Sequence, residues 1–318
     1  MYKRPHIAIL AEYDALPEIG HACGHNLIAT VALGAGLGLA AVMPHIKGRI
    51  SIIGTPAEEV LSNSGKMKLV DAGVFQDVDA AMIAHPHSST WLAKPFLAID
   101  EVHVQFSGKS SHAASAPELG INAYDAMQLT FMAISLLRQQ LRQDTRIHWG
   151  DLKVSKAKNV IPATSSATIT IRALDVEYTT KTRKKVIKCI RGAALMTGCK
   201  AGYEISEGCR SMKYNQNITT FFEENIKRFG VHIDELPRHS RSASTDMGNV
   251  SQVVPSIHPF FKIKKNIAPH TLEFRKASIS DIAFEATMKT AKAIALTAAD
   301  LLVNPENLKL AKEEFKKN

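Results

Sequence analysis

The chain has 318 residues, 45% of them hydrophobic and 22% charged, which is the ordinary soluble globular range and leaves room for two domains with a core each. Its four cysteines, Cys23, Cys189, Cys199 and Cys209, lack tight spacing, which argues against a disulfide framework and for a reducing, cytoplasmic compartment. The formal charge of +9 is densest in Lys181, Arg183, Lys184, Lys185, Lys188 and Arg191, a run with no interleaved aromatics that reads as the solvated face of a helix, so no nucleic-acid partner is expected.

In chain order, His6–Ala11 reads as a buried strand, with an apolar run too short for a secretory h-region. Residues 27–42 read as a helix. The uncharged stretch from Leu27 to Met43 is shorter than the about 20 residues of a membrane span and is rich in Ala and Gly. It is expected to be buried on all sides of an α/β core, with no membrane partner. A strand at Arg49–Gly54, a helix at about 64–72 and a strand at Asp79–Ala84 continue the alternation, which predicts a largely parallel sheet. From about residue 97 the order changes to a strand at Ala98–Ser107, a helix at 120–142, strands at 146–154 and 165–172, a helix at 179–197 and a strand at 200–206. That βαββαβ order is the ferredoxin-like unit. Residues 208–318 mix helix and strand and end in a long helix near 278–303, where Ile282, Ala286, Ile294 and Leu301 keep helical spacing. The predicted architecture is therefore α/β: a discontinuous catalytic domain, 1–96 and 208–318, interrupted by a ferredoxin-like lid at 97–207.

Chemistry-bearing residues gather after the strands of the first part, where parallel sheets collect ligands. Cys23 and His25 sit in His21-Ala-Cys-Gly-His25, a loop entering a helix, and a thiolate with an imidazole suits zinc. Glu58 and Glu59 follow a strand. In an extended segment they would point to opposite sides, one towards a metal and the other towards a water; alternatively they are an acidic pair opening the next helix. His85, at a strand end, is a better ligand candidate than His87, expected at the surface, and His270 supplies a loop imidazole before the final helix. His112, among small residues, reads equally as an oxyanion donor or as a histidine in a polar turn. Gly34-x-Gly36-x-Gly38 lies inside a helix rather than in a strand-to-helix turn, so it is not a dinucleotide loop.

These segments resemble metallopeptidase family twenty, the aminoacylase, hippurate hydrolase and carnosinase-like group. The resemblance rests on Glu12-Tyr-Asp14-Ala-Leu-Pro, His21-Ala-Cys23-Gly-His25-Asn, Gly54-Thr-Pro-Ala-Glu58-Glu59 and Ala84-His85-Pro. It continues through Gly108-Lys-Ser-Ser-His112-Ala, Asn159-Val-Ile-Pro162, Ser244-Thr-Asp246-Met-Gly-Asn-Val-Ser and His270-Thr, and so spans nearly the whole chain. It implies a metal-dependent hydrolase of dipeptides or N-acyl amino acids, nearest the branch that acts on β-alanyl-lysine-type dipeptides. Cys23, His25, Glu59, His85 and His270 would hold two divalent ions, zinc first, with manganese or cobalt as alternatives. Glu58 would be the general base, with Asp14 in the catalytic set. His112 would reach the active site of the partner subunit across a homodimer built by the lids, and Asn159 and Arg172 would contact substrate. Many relatives carry His-x-Asp where Glu12-x-Asp14 stands and a bridging Asp where Cys23 stands; the amidohydrolase branch shares the version found here. Relatives also carry a stretch ahead of the strand at 6–11, so the N-terminal portion of the family domain is expected to be missing from these 318 residues. A catalytically inactive, metal-binding fragment with a regulatory role is the alternative.

Overall fold

Short apolar runs bounded by turns become strands, and longer runs at helical spacing become the helices that cover them. The computed structural model describes residues 4–60, 63–155, 157–237 and 243–317. The elements in order are β1 His6–Glu12, α1 His25–Val42, β2 Arg49–Thr55, α2 Gly65–Asp71, β3 Ala80–Met82, β4 His85–His87 and β5 Ala98–Ser107. Then come α3 Ala123–Leu137, β6 Arg146–Val154, β7 Thr164–Ala173, α4 Val176–Thr197 and β8 Lys200–Glu207. The chain continues with α5 Gln216–Lys227, α6 Met247–Ser251, β9 Ser256–Ile257, β10 Phe260–Lys262, α7 Leu272–Ala277, α8 Asp281–Val303 and α9 Pro305–Lys317. Met1–Phe96 with Met212–Asn318 makes one compact unit and Leu97–Ser211 another.

In the first unit a parallel sheet runs β2-β1-β3-β9, and a separate parallel pair joins β10 to β4. All seven residues of β1 are buried, as expected of a strand covered on both faces. Ile7 and Ile9 join the core formed with Leu27, Val31 and Ile294, whereas Ala8 and Leu10 join Ile28, Phe75 and Met247 on the other face. This period-two sorting fixes where the residues after β1 emerge.

Helix α1 corrects one expectation. It is long and apolar enough to cross a membrane by length and composition, but it is not buried on all sides. Leu27, Val31, Ala35 and Leu39 are buried, while Leu33 and Leu37 are exposed, because only one face packs on the sheet and α8. The helix expected near 278–303 is α8, and α7 before it and α9 after it are additional. The Ser280 hydroxyl accepts from the Ala283 N–H and starts α8 afresh, so α7 stands alone in front of it.

The second unit is an antiparallel sheet in the order β6-β7-β5-β8, with α3 and α4 on one face around Val102, Phe106, Met127, Ile169, Ile171 and Ile190. This is the ferredoxin-like arrangement. Asn122 and Asp175 cap α3 and α4 through the N–H groups of Tyr124 and Tyr178, which sets the two helix starts at 123 and 176. The unit runs on to Ser211 because the Ile99 N–H donates to the Cys209 carbonyl and buried Asp100 pairs with Arg183 and Arg210.

Candidate active site and metal centre

Three loops of the first unit converge beyond the strand ends. Gly24 precedes α1 at φ 85°, the left-handed region, and a Cβ there would lie 2.5 Å from Pro86 Cγ. The missing side chain lets the Cys23–His25 loop sit against β4, with Cys23 Sγ 3.5 Å from His85 Nε2 and the His25 and His85 rings edge-on at 5.8 Å. The His270 N–H donates to the Ala22 carbonyl, stitching the loop before α7 onto the same place. His270 itself has φ 65° and Ala57, just before the glutamate pair, has φ 57°; non-glycine residues held there mark a constrained site.

The glutamates are not on an extended segment as predicted. β2 ends at Thr55, and Glu58 and Glu59 occupy a turn entered through Ala57. Even so, a carboxylate oxygen of each lies within 4.8 Å of the other and of a His25 ring nitrogen. Glu59 joins Cys23 and His270, with Oε1 3.2 Å from His270 Nε2. Glu58 lies between His25 and the buried acids Glu12 and Asp246.

Donor atoms of Cys23, His25 and His85 lie within 4.8 Å of one another, and so do those of Cys23, Glu59 and His270. Cys23 is common to both triads. A metal fits this set on an independent ground. Glu12 Oε2 and His25 Nε2 are buried 3.4 Å apart yet form no hydrogen bond, and buried Glu59 Oε1, 3.2 Å from Nε2 of the half-exposed His270, forms none either. Buried polar atoms that approach without bonding are what a cation between them would join.

Asp14 braces this cradle. One oxygen lies 3.0 Å from His25 Nδ1 and the other accepts the Glu59 N–H at 3.2 Å, so a single carboxylate orients two ligand-bearing segments. It is placed to act through those ligands. Burial opposes ionisation of Asp14, but the His25 contact wins and lowers its pKa. Burial likewise works against the His25 imidazolium, yet Asp14, Glu12 and Glu58 lift it to about 9. Burial, then Glu12, raises Glu58 to about 8, and burial with the neighbouring glutamates raises the Cys23 thiol well above its usual range. Burial drives His85 well below the ordinary histidine value.

Several residues at the site had no part in the sequence reading. Lys66, fully buried at the start of α2, places its ammonium 2.6 Å from both Glu12 Oε1 and Asp246 Oδ1. Against burial, the Lys66 ammonium, and after it His25, hold the Glu12 carboxyl at about 2. His258 is buried beside His85, their rings 5.8 Å apart, and burial lowers it to about 4. His87 is not the surface residue expected: its ring packs 4.6 Å from Trp91 and it is half-buried, because β4 pairs with β10 and turns it into the aromatic cluster around Phe260. His21 joins neither triad and lines a cavity of about 530 Å³ with Asn26, Glu18 and Arg275.

The remaining candidates belong to the second unit. His112 is exposed, and its Nδ1 accepts the N–H groups of Ala114 and Ser115. That pattern assigns the ring proton to Nε2, leaving an outward-facing donor. Asn159 is next to it, its carbonyl accepting the Ala113 N–H at 2.9 Å. Arg172 lies elsewhere in the unit, eight residues along β7 from Thr164 and so roughly 26 Å from that end of the strand.

A family model described as the peptidase dimerisation domain matches residues 98–195. The Xaa-Arg dipeptidase of Mus musculus is 39% identical over 318 residues, covering 98% of this chain and 73% of the relative. The chain belongs to the M20 peptidase family. It is a metal-dependent amidohydrolase. One of the p-aminobenzoyl-glutamate hydrolase chains of Escherichia coli is 30% identical over 72% of this chain and 51% of its own length. A crystal structure of a dinuclear metal-binding M20 peptidase from Bacillus subtilis shares the fold, with a TM-score of 0.73 and 21% identity over 94% of this chain and 82% of that one.

Proposed function

We propose that this M20 enzyme hydrolyses the amide bond of dipeptides ending in a basic residue, β-alanyl-lysine-type dipeptides among them, or of related N-acyl amino acids. It does so with two divalent ions held in the triads that share Cys23. The shared thiol is the observation that carries this reading. Zinc is the first choice because sulfur and imidazole nitrogen favour it, with manganese and cobalt as alternatives. The basic side chain is suggested by the mouse relative, an Xaa-Arg dipeptidase. The cytoplasm suits a chemistry that needs Cys23 reduced.

When bound, the ions would polarise the scissile carbonyl and make a water acidic enough to lose a proton at neutral pH. Glu58 takes that proton and later returns it to the leaving amine; Glu59, turned towards Cys23 and His270, is not available for the task. Asp14 keeps the His25 imidazole in place. His112 of the partner subunit donates from Nε2 to the substrate oxygen as negative charge develops, and Asn159 beside it contacts the substrate; Arg172, far along β7 from that end, is too distant to share the same small dipeptide. The homodimer forms through the second unit, whose exposed Leu136, Met132, Leu195 and Met196 on α3 and α4 suit an interface between copies. An inactive fragment is disfavoured by the full complement of ligands and base.

The test is a panel of dipeptides with basic, neutral and acidic C-terminal residues, cleaved by wild type and Glu58→Gln. Those ending in Arg or Lys are expected to be cleaved fastest, and Glu58→Gln to lose about 10²–10⁴-fold in kcat with little change in KM. Equal rates for Glu58→Gln and wild type would remove Glu58 as the base.

A further inference from the structure

Among the described residues, beside the two Cys23 triads and a group of His25, Glu58 and Glu59 that draws on the same ligands, stands a cluster made wholly of carboxylate oxygens. Glu12, Glu58 and Asp246 each contribute one, all within 4.8 Å of the others. Oxygens at that spacing are what a hard divalent cation gathers. The ammonium of Lys66 already sits among them, 2.6 Å from Glu12 Oε1 and 2.6 Å from Asp246 Oδ1, and Glu12, Lys66 and Asp246 are all closed off from solvent. Asp246 Oδ2 also accepts the Lys66 backbone N–H at 3.0 Å, so one carboxylate fixes both the ammonium and the start of α2. Just before Lys66, Gly65 is a position where a Cβ would overlap the Pro56 carbonyl, so the approach of α2 to the glutamate turn depends on that glycine.

We propose that Lys66 is the fixed internal cation of the site: it fills the position a third metal ion would take, and so confines divalent ions to the two triads that share Cys23. The inference rests on the two-metal reading above. Its consequence for catalysis is indirect, which makes Lys66 a positioning residue. An ion in place of the ammonium would draw in Glu58 as a third carboxylate ligand and take the base out of service. Lys66 cannot be exchanged or chelated, and its pairs with Glu12 and Asp246 leave Glu58 outside its own hydrogen bonds. Glu12, gripped by Oε1, is also kept from turning both oxygens onto an ion at His25, since only Oε2 faces that imidazole.

Equilibrium dialysis against Mn²⁺ with the full chain, followed by elemental analysis, counts ions per chain directly. Wild type is expected to hold two and Lys66→Ala three, with kcat of Lys66→Ala down by at least about tenfold and KM within about threefold. Lys66→Arg, which keeps a cation, should stay at two. The double variant Lys66→Ala/Asp246→Asn, which loses an acid along with the cation, should return to two. Fewer than two ions on wild type would overturn the two-metal reading itself. Two on wild type and two on folded Lys66→Ala would overturn this inference alone. If Lys66→Ala is unfolded without metal, melting with and without Mn²⁺ decides: a larger rise in Tm than wild type shows supports the inference, and an equal or smaller rise overturns it.

Discussion

Cys23 belongs to both ligand triads, so its substitution separates a shared thiolate from an ordinary ligand. Cys23→Ala is expected to lose both ions and all measurable turnover. Cys23→Asp should keep both, because a carboxylate can also bridge; elemental analysis of the two variants checks this. The protons on the metal-free site point the same way. With no ion bound, the Cys23 thiol is raised and His25 sits at about 9, so both ligands are largely protonated at pH 7. Metal must displace those protons, and apparent metal affinity should climb from pH 6 to pH 9. A chelator competition showing no pH dependence would contradict these environments. Cys23, His25, Glu58, Glu59 and His85 stood out in the sequence as ligand-type residues after predicted strands, whereas His270, a loop imidazole before a helix, entered the ligand set only through the family resemblance. Lys66 did not stand out, since a lysine opening a polar helix looks solvated. Its one signal was physical: a cation in the first turn works against the helix dipole and needs a partner. Asp246 stood out only as part of the Ser244-Thr-Asp246 motif, with no role attached, and His258 gave no signal, since their partners come from distant segments.

At the scale of elements, the site depends on close approaches that only particular backbones allow. Gly24→Ala adds a Cβ 2.5 Å from Pro86 at φ 85° and should destabilise the fold by about 1–3 kcal/mol while weakening metal binding, read by chemical denaturation and by metal titration. The Glu12–Lys66–Asp246 clamp ties β1, α2 and the start of α6 together, and Lys66→Met, which strands two buried carboxylates, should cost about 3–5 kcal/mol. Because Glu12 is lowered from 4.5 to about 2 in the folded chain, its contribution is complete above pH 4.5 and is lost as pH falls towards 2. Strand and helix positions were readable from period and length. The exposed face of α1 was not, because an Ala- and Gly-rich apolar run looks the same whether one face or all faces pack. The glutamate turn was missed for a related reason: nothing in Thr-Pro-Ala-Glu-Glu announces that Ala57 takes a positive φ.

At the scale of the molecule, an M20 catalytic unit is interrupted by the dimerisation unit, an insertion visible in the sequence as a switch from alternating strands and helices to βαββαβ. The function of that unit is tested by complementation. Glu58→Gln and His112→Ala homodimers should each be nearly inactive, while co-refolded mixtures should regain activity, since one site of a heterodimer combines an intact Glu58 with an intact His112 from its partner. Mixtures no more active than their components would contradict a shared site. The central claim, that two ions would be held by the two triads that have Cys23 in common, is tested most directly by titrating the metal-free enzyme with Co²⁺ while following the thiolate-to-cobalt charge-transfer band. The band should keep changing through two equivalents of cobalt, with hydrolysis appearing alongside the second. A band complete at one equivalent, or absent altogether, would contradict it.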